Sequence, residues 1–267
     1  MSSYFITGVA RGLGFEFVRQ LSTNPANTII GLVRDKTATE KKVSEELSGR
    51  KNVHLIQGDM VDYASLKKAV DEIATITGGK LDYVIANAAF LSVWAAFEPF
   101  SLLAKEPEKL EKELVDMFTV NVVGNIHLFN LITPLVLKGN GKKIIAISSG
   151  LGDQEMAINY ELFQNAPYSI SKTALDMAVA KFHAEYRKDD VLFMCISPGM
   201  VDTGYIDPET ALLNDMIGKF MKYAPDFNGP TPIDVAIQRI LSVMDKSSVE
   251  AGDGGKSLSQ FGNKQWL

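Results

Sequence analysis

Tyr168 and Lys172, four positions apart, form the pair whose side-chain types and spacing best suit proton transfer. Residues four apart on a helix lie on one face, so the phenol and the ammonium group point into the same space. An ammonium group beside a phenol favours the phenolate, which predicts a pKa for Tyr168 below its reference value of about 10. Tyr63 and Lys67 form a second such pair, but they begin an ordinary amphipathic helix. Tyr168 instead follows a predicted strand that ends in two serines, and this context favours it as the proton donor.

Short apolar runs alternate with longer amphipathic segments along the chain. Six runs are predicted to be buried strands, at residues 4–6, 28–33, 53–56, 81–86, 143–147 and 191–196. Apolar residues recur every three to four positions, as in helices, over residues 14–23, 37–47, 63–76 and 173–187. This order predicts a single α/β domain, residues 1–267, with a doubly wound parallel sheet covered by helices on both faces in three layers. Such sheets bind ligands at the carboxyl ends of their strands.

Two segments are less regular, residues 150–167 and residues 202–232. Irregular segments longer than about 12 residues in a compact domain are usually functional. Both are therefore predicted to be insertions on the substrate side, and solvated insertions without that role are the alternative.

A glycine-rich turn follows the first predicted strand and opens the first helix. It places Gly8, Gly12 and Gly14 where the backbone must turn tightly and approach a ligand. A helix N-terminus offers unpaired N–H groups and partial positive charge to a phosphate. The placement predicts a nucleotide site, although a glycine-rich turn can also be only a turn.

The charge after the second predicted strand indicates which dinucleotide binds. An acidic residue about 20 positions beyond the glycines would hydrogen-bond the ribose of NAD and repel a 2′-phosphate. Here Arg34 follows the strand and Arg11 lies within the glycine turn, so two guanidinium groups are available to a phosphate. We predict NADP(H) as the cofactor. Asp35 leaves an alternative open, because its carboxylate could face the ribose or pair with Arg34.

The spacing G-x-x-x-G-x-G over residues 8–14 resembles the signature of the short-chain dehydrogenase/reductase family. Further motifs match that family in the expected order over nearly the full length of the chain. The resemblance implies a Rossmann-type sheet of about seven strands in the order 3-2-1-4-5-6-7. It also implies a catalytic tetrad of Asn121, Ser149, Tyr168 and Lys172.

Each member of this tetrad has a role by resemblance. Tyr168 donates a proton to the substrate oxygen, and Ser149 hydrogen-bonds the same oxygen. Ser149 rather than Ser148 is predicted, because the family uses the second serine of such a pair and adjacent strand residues face opposite sides. Lys172 lowers the pKa of the tyrosine and hydrogen-bonds the nicotinamide ribose. Asn121 kinks a helix and holds a water that links the lysine to solvent.

The same resemblance implies a set of cofactor contacts. Asp59 resembles the acidic residue that contacts the adenine, and residues 87–89 resemble the family's Asn-Ala-Gly turn. Ala89 stands where the family usually has glycine, a departure from the pattern. The predicted cofactor-binding residues are Gly8, Arg11, Gly12, Leu13, Gly14, Arg34, Asp59, Met60, Asn87, Ala88, Ala89, Tyr168, Lys172, Pro198, Gly199, Val201 and Thr203.

The interval between Ser149 and Tyr168 is longer than is typical of the family and resembles its carbonyl-reductase, sniffer-like branch. Gly262 and Trp266 near the end of the chain resemble the same branch, and the chain is also similar to fungal ketoreductases. The resemblance predicts NADPH-dependent reduction of a hydrophobic or aromatic ketone, aldehyde, quinone or polyketide intermediate to an alcohol. The predicted substrate residues are Phe90, Trp94, Leu151 and Tyr205, and each of them could instead be core.

Composition argues against several other classes of protein. The net charge of −5, without a concentrated basic stripe, argues against nucleic acid as a partner. Cys195 is the only cysteine, so no intrachain disulfide can form and a reducing compartment, the cytoplasm, is expected. The first predicted strand begins about three residues from the start, so no secretory leader is expected. No apolar run approaches about 18 residues, so no membrane association is expected either. The three histidines are far apart, and no metal is predicted.

Two other functions stay open. A chain that binds NADP(H) as a sensor or scaffold without turnover is one, although relatives of that kind have lost the tyrosine present here as Tyr168. A dehydrogenase that works mainly in the oxidative direction is the other. The family resemblance also implies a small-molecule carbonyl substrate and a homodimer or homotetramer, with the helices that hold Asn121 and Tyr168 at the interface.

Overall fold

Seven parallel strands form the central sheet of the computed structural model, which describes residues 1–203 and 211–267. The strands are β1 (Ser3–Thr7), β2 (Thr28–Val33), β3 (Val53–Gln57), β4 (Tyr83–Ala86), β5 (Lys143–Ile147), β6 (Leu192–Ser197) and β7 (Ser257–Ser259). Their order across the sheet is β3-β2-β1-β4-β5-β6-β7. This confirms the predicted Rossmann-type, doubly wound sheet in a single domain.

Helices cover both faces of this sheet. They are α1 (Gly12–Leu21), α2 (Lys36–Glu46), α3 (Tyr63–Thr77), α4 (Phe100–Leu103), α5 (Pro107–Phe118), α6 (Gly124–Val136), α7 (Gln154–Asn159), α8 (Ala166–Tyr186), α9 (Ala211–Tyr223) and α10 (Ile233–Lys246). Residues of α3, α6 and α8 share one apolar core with the sheet, and residues of α1 and α10 share another. Successive strand residues enter opposite cores, as Phe193 and Met194 of β6 do. The result is the predicted three-layer architecture.

Burial on both faces explains why the strands read as continuous apolar runs rather than alternating patterns. All six residues of β6 are buried, and five of the six in β2. The short seventh strand lacks such a run, and Ser257 simply pairs with Cys195 at the edge of the sheet. A three-residue strand of this composition gives no periodic signal.

The two segments predicted to be irregular contain helices. Residues 150–167 hold a 3₁₀ turn at Gly150–Gly152, then α7 and the start of α8, while residues 202–232 contain α9. Asp153 caps α7, because its side chain accepts a hydrogen bond of 3.0 Å from the Met156 amide. The helix that starts at Ala166 begins before the periodic segment predicted from residue 173, so Tyr168 and Lys172 lie in its first two turns.

One helical run, Pro107–Val136, passes through α5, a π-helical turn at Thr119–Val123 and α6. By length and composition it is the one helix among the described residues that could cross a membrane. However, 56% of its apolar window is buried inside the fold, where α6 packs on α3 and α5 packs on α8. We therefore assign it to the core of the domain.

Candidate active site

The π-helical turn places Asn121 fully buried in the middle of this helical run. Its Oδ1 accepts a hydrogen bond from the Phe90 amide (2.8 Å), and its Nδ2 donates to the Phe90 carbonyl (3.0 Å) and to Ser171 Oγ (2.9 Å). Ser171 Oγ in turn donates to the Tyr168 carbonyl (2.7 Å). One asparagine thus joins the loop after β4 to the first turn of α8, and π-helical turns are frequent at functional sites.

Lys172 lies one helical turn after Tyr168 and is 2% exposed. Its Nζ donates a hydrogen bond to the Ile147 carbonyl at 2.7 Å and lies 5.4 Å from the centroid of the Tyr168 ring. The predicted pairing of the two side chains on one helix face is therefore present.

Burial governs the proton affinities of this pair. It lowers the pKa of Lys172 to about 8, against the opposing effects of Asp176 and Cys195. It raises the pKa of Tyr168 above the ordinary value, and Asp176 adds to the rise. The predicted fall in the pKa of Tyr168 is wrong for the protein alone, because lost hydration of the phenolate outweighs the nearby ammonium group. The phenol therefore keeps its proton at neutral pH.

The two serines after β5 have different surroundings. Ser149 lines a cavity. Its Oγ accepts a hydrogen bond from the Leu151 amide (3.2 Å), and this bond caps the 3₁₀ turn. A hydroxyl that accepts in this way keeps its own proton to donate. Ser148 is 1% exposed and lies beside Asp176. The structure thus turns Ser149, rather than Ser148, toward the cavity.

The glycine turn packs too closely to hold side chains. Gly8 has a φ of +73°, and a Cβ there would lie 3.0 Å from Ala88 Cα. A Cβ on Gly14 would overlap the Gly8 carbonyl oxygen and lie 2.7 Å from Asn87 Nδ2. Asn87 holds the turn, since its Nδ2 donates to the Thr7 carbonyl at 2.9 Å. Asn87 and Ala88, which follow β4 and are predicted to contact the cofactor, therefore also pack against the glycine turn.

The N-terminus of α1 offers donors to an anion. Among the described residues, no side chain caps this helix, and its first turn contains no acidic residue. The first N–H groups, at Gly12, Leu13 and Gly14, therefore have no helical acceptor. The helix dipole adds partial positive charge at the same point. This cradle fits the pyrophosphate of a dinucleotide.

Arg34 and Asp35 have different surroundings at the end of β2. Asp35 caps α2, because its Oδ1 accepts a hydrogen bond from the Ala38 amide at 3.0 Å. This cap is a role that the sequence reasoning did not consider for Asp35. Arg34 is exposed where the strand ends.

The remaining predicted cofactor residues lie at the same edge of the sheet. Asp59 follows β3, and its Oδ1 accepts a hydrogen bond from the Val61 amide at 3.2 Å. Met60 has its side chain buried in the core, so only its backbone can meet a ligand, while Ala89 is exposed. The residues after β6 line one cavity together with Leu13, and they are Pro198, Gly199, Val201 and Thr203.

This cavity has a volume of about 500 Å³ and reaches from Leu13 past Ser149 and Tyr168. Its walls are mainly apolar and include Leu91, Phe97, Met156, Met200, Met216 and Phe220. Within the described part of the chain, no group of three or more His, Cys, Asp or Glu residues could hold a metal ion. The cavity therefore presents the hydroxyl groups of Ser149 and Tyr168, among others, to a mainly apolar space.

The predicted substrate residues divide around this cavity. Trp94 and Leu151 line it. The Phe90 side chain instead packs against the cluster of Ala95, Leu103 and Met117, because Asn121 holds the Phe90 backbone on that side. Tyr205 lies outside the described residues.

Trp266 closes one side of the cavity, a contact that sequence reasoning did not find. Its Nε1 donates to Asp153 Oδ2, and its main-chain N–H donates to the Tyr223 hydroxyl, each at 3.0 Å. A Cβ on Gly150 would lie 2.6 Å from Trp266 Cγ, so the indole needs a glycine there. The Trp266–Asp153 bond joins residues 113 positions apart, and no local pattern encodes such a contact.

The chain matches the family model described as short chain dehydrogenase over residues 3–211. It is 50% identical over 271 residues to the short chain dehydrogenase virK of Hypocrea virens, with 100% of each chain covered. It is 46% identical over 272 residues to the short-chain dehydrogenase/reductase iacC of Pestalotiopsis fici, again with 100% of each covered.

Solved structures of known proteins share the fold. The NADPH-bound carbonyl reductase from chicken fatty liver is 22% identical, with a TM-score of 0.78 and 98% of each chain covered. The carbonyl reductase Sniffer of D. melanogaster is 21% identical, with a TM-score of 0.75 and 98% of each chain covered. The sheet order, the glycine turn and the tyrosine–lysine pair together define an oxidoreductase with a dinucleotide fold. The chain belongs to the short-chain dehydrogenase/reductase family.

Proposed function

We propose that the chain reduces an apolar or aromatic carbonyl compound to an alcohol with NADPH. The observation that carries the proposal is the single cavity shared by Leu13, Ser149 and Tyr168. A nucleotide turn, a hydrogen-bond donor and a proton donor therefore open into one mainly apolar space. Such walls suit a hydrophobic or aromatic ketone, an aldehyde, a quinone or a polyketide intermediate better than a charged sugar.

The chain supplies the proton and the stabilisation of the reacting oxygen, while bound NADPH supplies the hydride. Tyr168 retains its proton at neutral pH, because burial raises its pKa, and donates it to the carbonyl oxygen. Ser149 donates its hydroxyl hydrogen bond to the same oxygen, where negative charge develops. A donor aimed at charge that exists mainly in the transition state lowers the barrier selectively.

Lys172 assists proton donation by Tyr168. With a pKa lowered to about 8 by burial, it exchanges a proton close to neutral pH and offsets part of the cost of a buried phenolate. The route that returns a proton to this pair passes, by family resemblance, through a water held at Asn121. The Asn121 carbonyl also accepts a hydrogen bond from Asn125 Nδ2 at 2.8 Å, which holds this carbonyl in place.

The preference for NADPH rests on charge at the end of β2. Arg34 is exposed there, and the Asp35 carboxylate is held toward α2 by its cap. A guanidinium group without an acidic competitor at the ribose favours a 2′-phosphate. One structural neighbour is described as NADPH-bound, and another, from Burkholderia cenocepacia, is in complex with NADP.

A homodimer or homotetramer through α5 and α8 is part of the proposal. The two helices pack side by side and carry exposed apolar side chains, Val115 and Phe118 on α5 and Ile170 and Met177 on α8. Adjacent exposed apolar residues mark association surfaces.

We also propose that the protein acts in the cytoplasm on small molecules, with neither nucleic acid nor membrane as a partner. Its buried free thiol, Cys195, and its net charge of −5 support this.

Consumption of NADPH against a panel of aldehydes, aromatic ketones and quinones, with NADH in parallel, tests this function. We expect turnover of apolar and aromatic carbonyl compounds and a preference for NADPH. Cofactor binding without turnover across the panel would contradict the proposal and favour a sensor. Oxidation of the matching alcohols that is faster than reduction under the same conditions would favour an oxidative dehydrogenase.

A further inference from the structure

Asn165 lies at the junction between the insertion and the catalytic helix. It immediately precedes α8 and has a left-handed backbone, with φ 57° and ψ 31°. Its main-chain N–H donates to the Ala96 carbonyl at 2.7 Å, which ties the insertion to the loop after β4. Asparagine adopts this conformation more readily than most residues, so the backbone explains part of its presence but not the position of its side chain.

The Asn165 side chain lacks a strong hydrogen-bond partner. The residue is 7% exposed and lines the cavity. Among the described residues, its amide has one partner, Met216 Sδ, at 3.9 Å from Nδ2. A thioether sulfur is a weak acceptor, and Met216 lines the same cavity. A buried amide left without a proper partner costs free energy, which a ligand oxygen at this point would recover.

The position of Asn165 relative to Tyr168 suits a role in substrate selection. Asn165 stands three residues before Tyr168 in the chain, and both residues line the same cavity. Tyr168 and Ser149 are assigned to the reacting oxygen. Asn165 is therefore within reach of a different oxygen, a few bonds away in the same molecule.

We propose that Asn165 Nδ2 donates a hydrogen bond to a second oxygen of the substrate, in place of its weak contact with Met216. The enzyme then selects apolar ketones that carry a carbonyl, ether or hydroxyl oxygen near the reacting carbonyl. This inference rests on the proposed reductase function. A site that hydrogen-bonds a substrate atom discriminates against the analogue lacking that atom, because its polar group is then left buried and unpaired.

Two ketones of nearly equal shape test this inference, ortho-methoxyacetophenone and ortho-ethylacetophenone, which differ by an oxygen in place of a methylene group. The quantity to measure is the ratio of kcat/KM for the methoxy ketone to that for the ethyl ketone. Comparison of this ratio between variants cancels the intrinsic reactivity of the two compounds. We expect the ratio to fall about five- to tenfold in Asn165→Gly, the effect of one hydrogen bond.

Two further variants keep the test independent of folding. Asn165→Asp retains the shape and tolerates the same backbone, but loses the N–H donors, so it should lower the ratio as Asn165→Gly does. Glu161→Gly is the matched control, since Glu161 also has a positive φ of 53° in the same insertion but is exposed. Its ratio should equal that of the wild type.

Equal ratios in the wild type, Asn165→Gly and Asn165→Asp would overturn the inference. Failure of the wild type to reduce either ketone would overturn it as well. In both cases, turnover elsewhere in the carbonyl panel would leave the proposed reductase function standing.

Discussion

Lys172 Nζ donates a hydrogen bond to the main-chain carbonyl of Ile147 at 2.7 Å. Ile147 is the last residue of β5, two positions before Ser149, and Lys172 lies one turn after Tyr168 on α8. This bond sets the strand that leads to the serine against the helix that carries the tyrosine. Because Lys172 is 2% exposed and Ile147 is 5% exposed, removal of the ammonium group leaves a buried carbonyl without that donor.

The burial of Lys172 predicts a stability that depends on pH. Its pKa is lowered from 10.5 to about 8 in the fold, so between these values the unfolded chain binds a proton that the folded chain does not. Lys172 should therefore contribute a rise of about 2–3 kcal/mol in the free energy of unfolding from about pH 8 to about pH 10. Cys195 acts in the opposite sense over part of this range, because burial raises the pKa of its thiol. Below the folded pKa both states are protonated and the contribution stays constant.

Urea unfolding of the wild type and Lys172→Met across that range measures this contribution. The variant should lack the contribution of Lys172, so the difference in unfolding free energy between the wild type and the variant should grow by about 2–3 kcal/mol from about pH 8 to about pH 10. Lys181→Met is the control, because Lys181 is exposed on the same helix, and it should keep the wild-type slope. If the unfolding free energy of the wild type and of Lys172→Met changed equally with pH, the lowered pKa of Lys172 would be contradicted.

Gly14→Ala should weaken nucleotide binding, because the added Cβ would overlap the Gly8 carbonyl and lie 2.7 Å from Asn87 Nδ2. Displacement of the turn should raise the Kd for NADPH at least about tenfold. Gly218→Ala is the control, since a Cβ at Gly218 in α9 meets nothing within 4 Å in the described part of the chain. Alanine also favours the helix by about 1 kcal/mol. An equal Kd in both variants, measured by calorimetric titration, would refute the close packing of the turn.

Arg34→Asp should shift the preference from NADPH toward NADH, because a carboxylate at the end of β2 repels the 2′-phosphate and accepts hydrogen bonds from the ribose. We expect the ratio of kcat/KM for NADPH to that for NADH to fall about tenfold or more. Arg187→Asp applies the same change of charge at an exposed site after α8 and should leave the ratio unchanged. An unchanged ratio in Arg34→Asp would remove the basis for the assignment of NADP(H).

Much of the fold followed from the sequence, because a sheet buried on both faces leaves continuous apolar runs. Six strands and the alternation with helices were readable for this reason, and the order of the sheet came from the family resemblance. β7 and α7 were not readable, since three and six residues carry too little periodicity. Tyr168 and Lys172 were predicted to lie on a helix, but Ala166 and Pro167 fell in the segment predicted to be irregular, although proline favours the first helical turn.

The candidate site was readable where chemistry lies within short motifs, and not where it depends on distant contacts. Trp94, Leu151 and Ser149 line the cavity, and their roles in substrate binding and catalysis stay predictions. The Trp266–Asp153 contact joins distant parts of the chain. Asp35 caps α2, whereas the sequence suggested that its carboxylate could face the ribose or pair with Arg34. The rise in the pKa of Tyr168 depends on burial in the folded protein, which the spacing to Lys172 alone does not give.

Replacement of Tyr168 by phenylalanine tests the central claim most directly, because it removes one hydroxyl and leaves the ring. The measurement is kcat/KM for an apolar ketone with NADPH, together with the Kd for NADPH. Tyr63→Phe is the matched control, since Tyr63 begins the second Tyr-x-x-x-Lys pair and is 50% exposed at the start of α3.

Tyr168→Phe should lower kcat/KM by a factor of about 10²–10⁴ with NADPH affinity nearly unchanged, as expected for loss of a general acid, while Tyr63→Phe keeps wild-type activity. Wild-type turnover in Tyr168→Phe would contradict the assignment of Tyr168 as the proton donor.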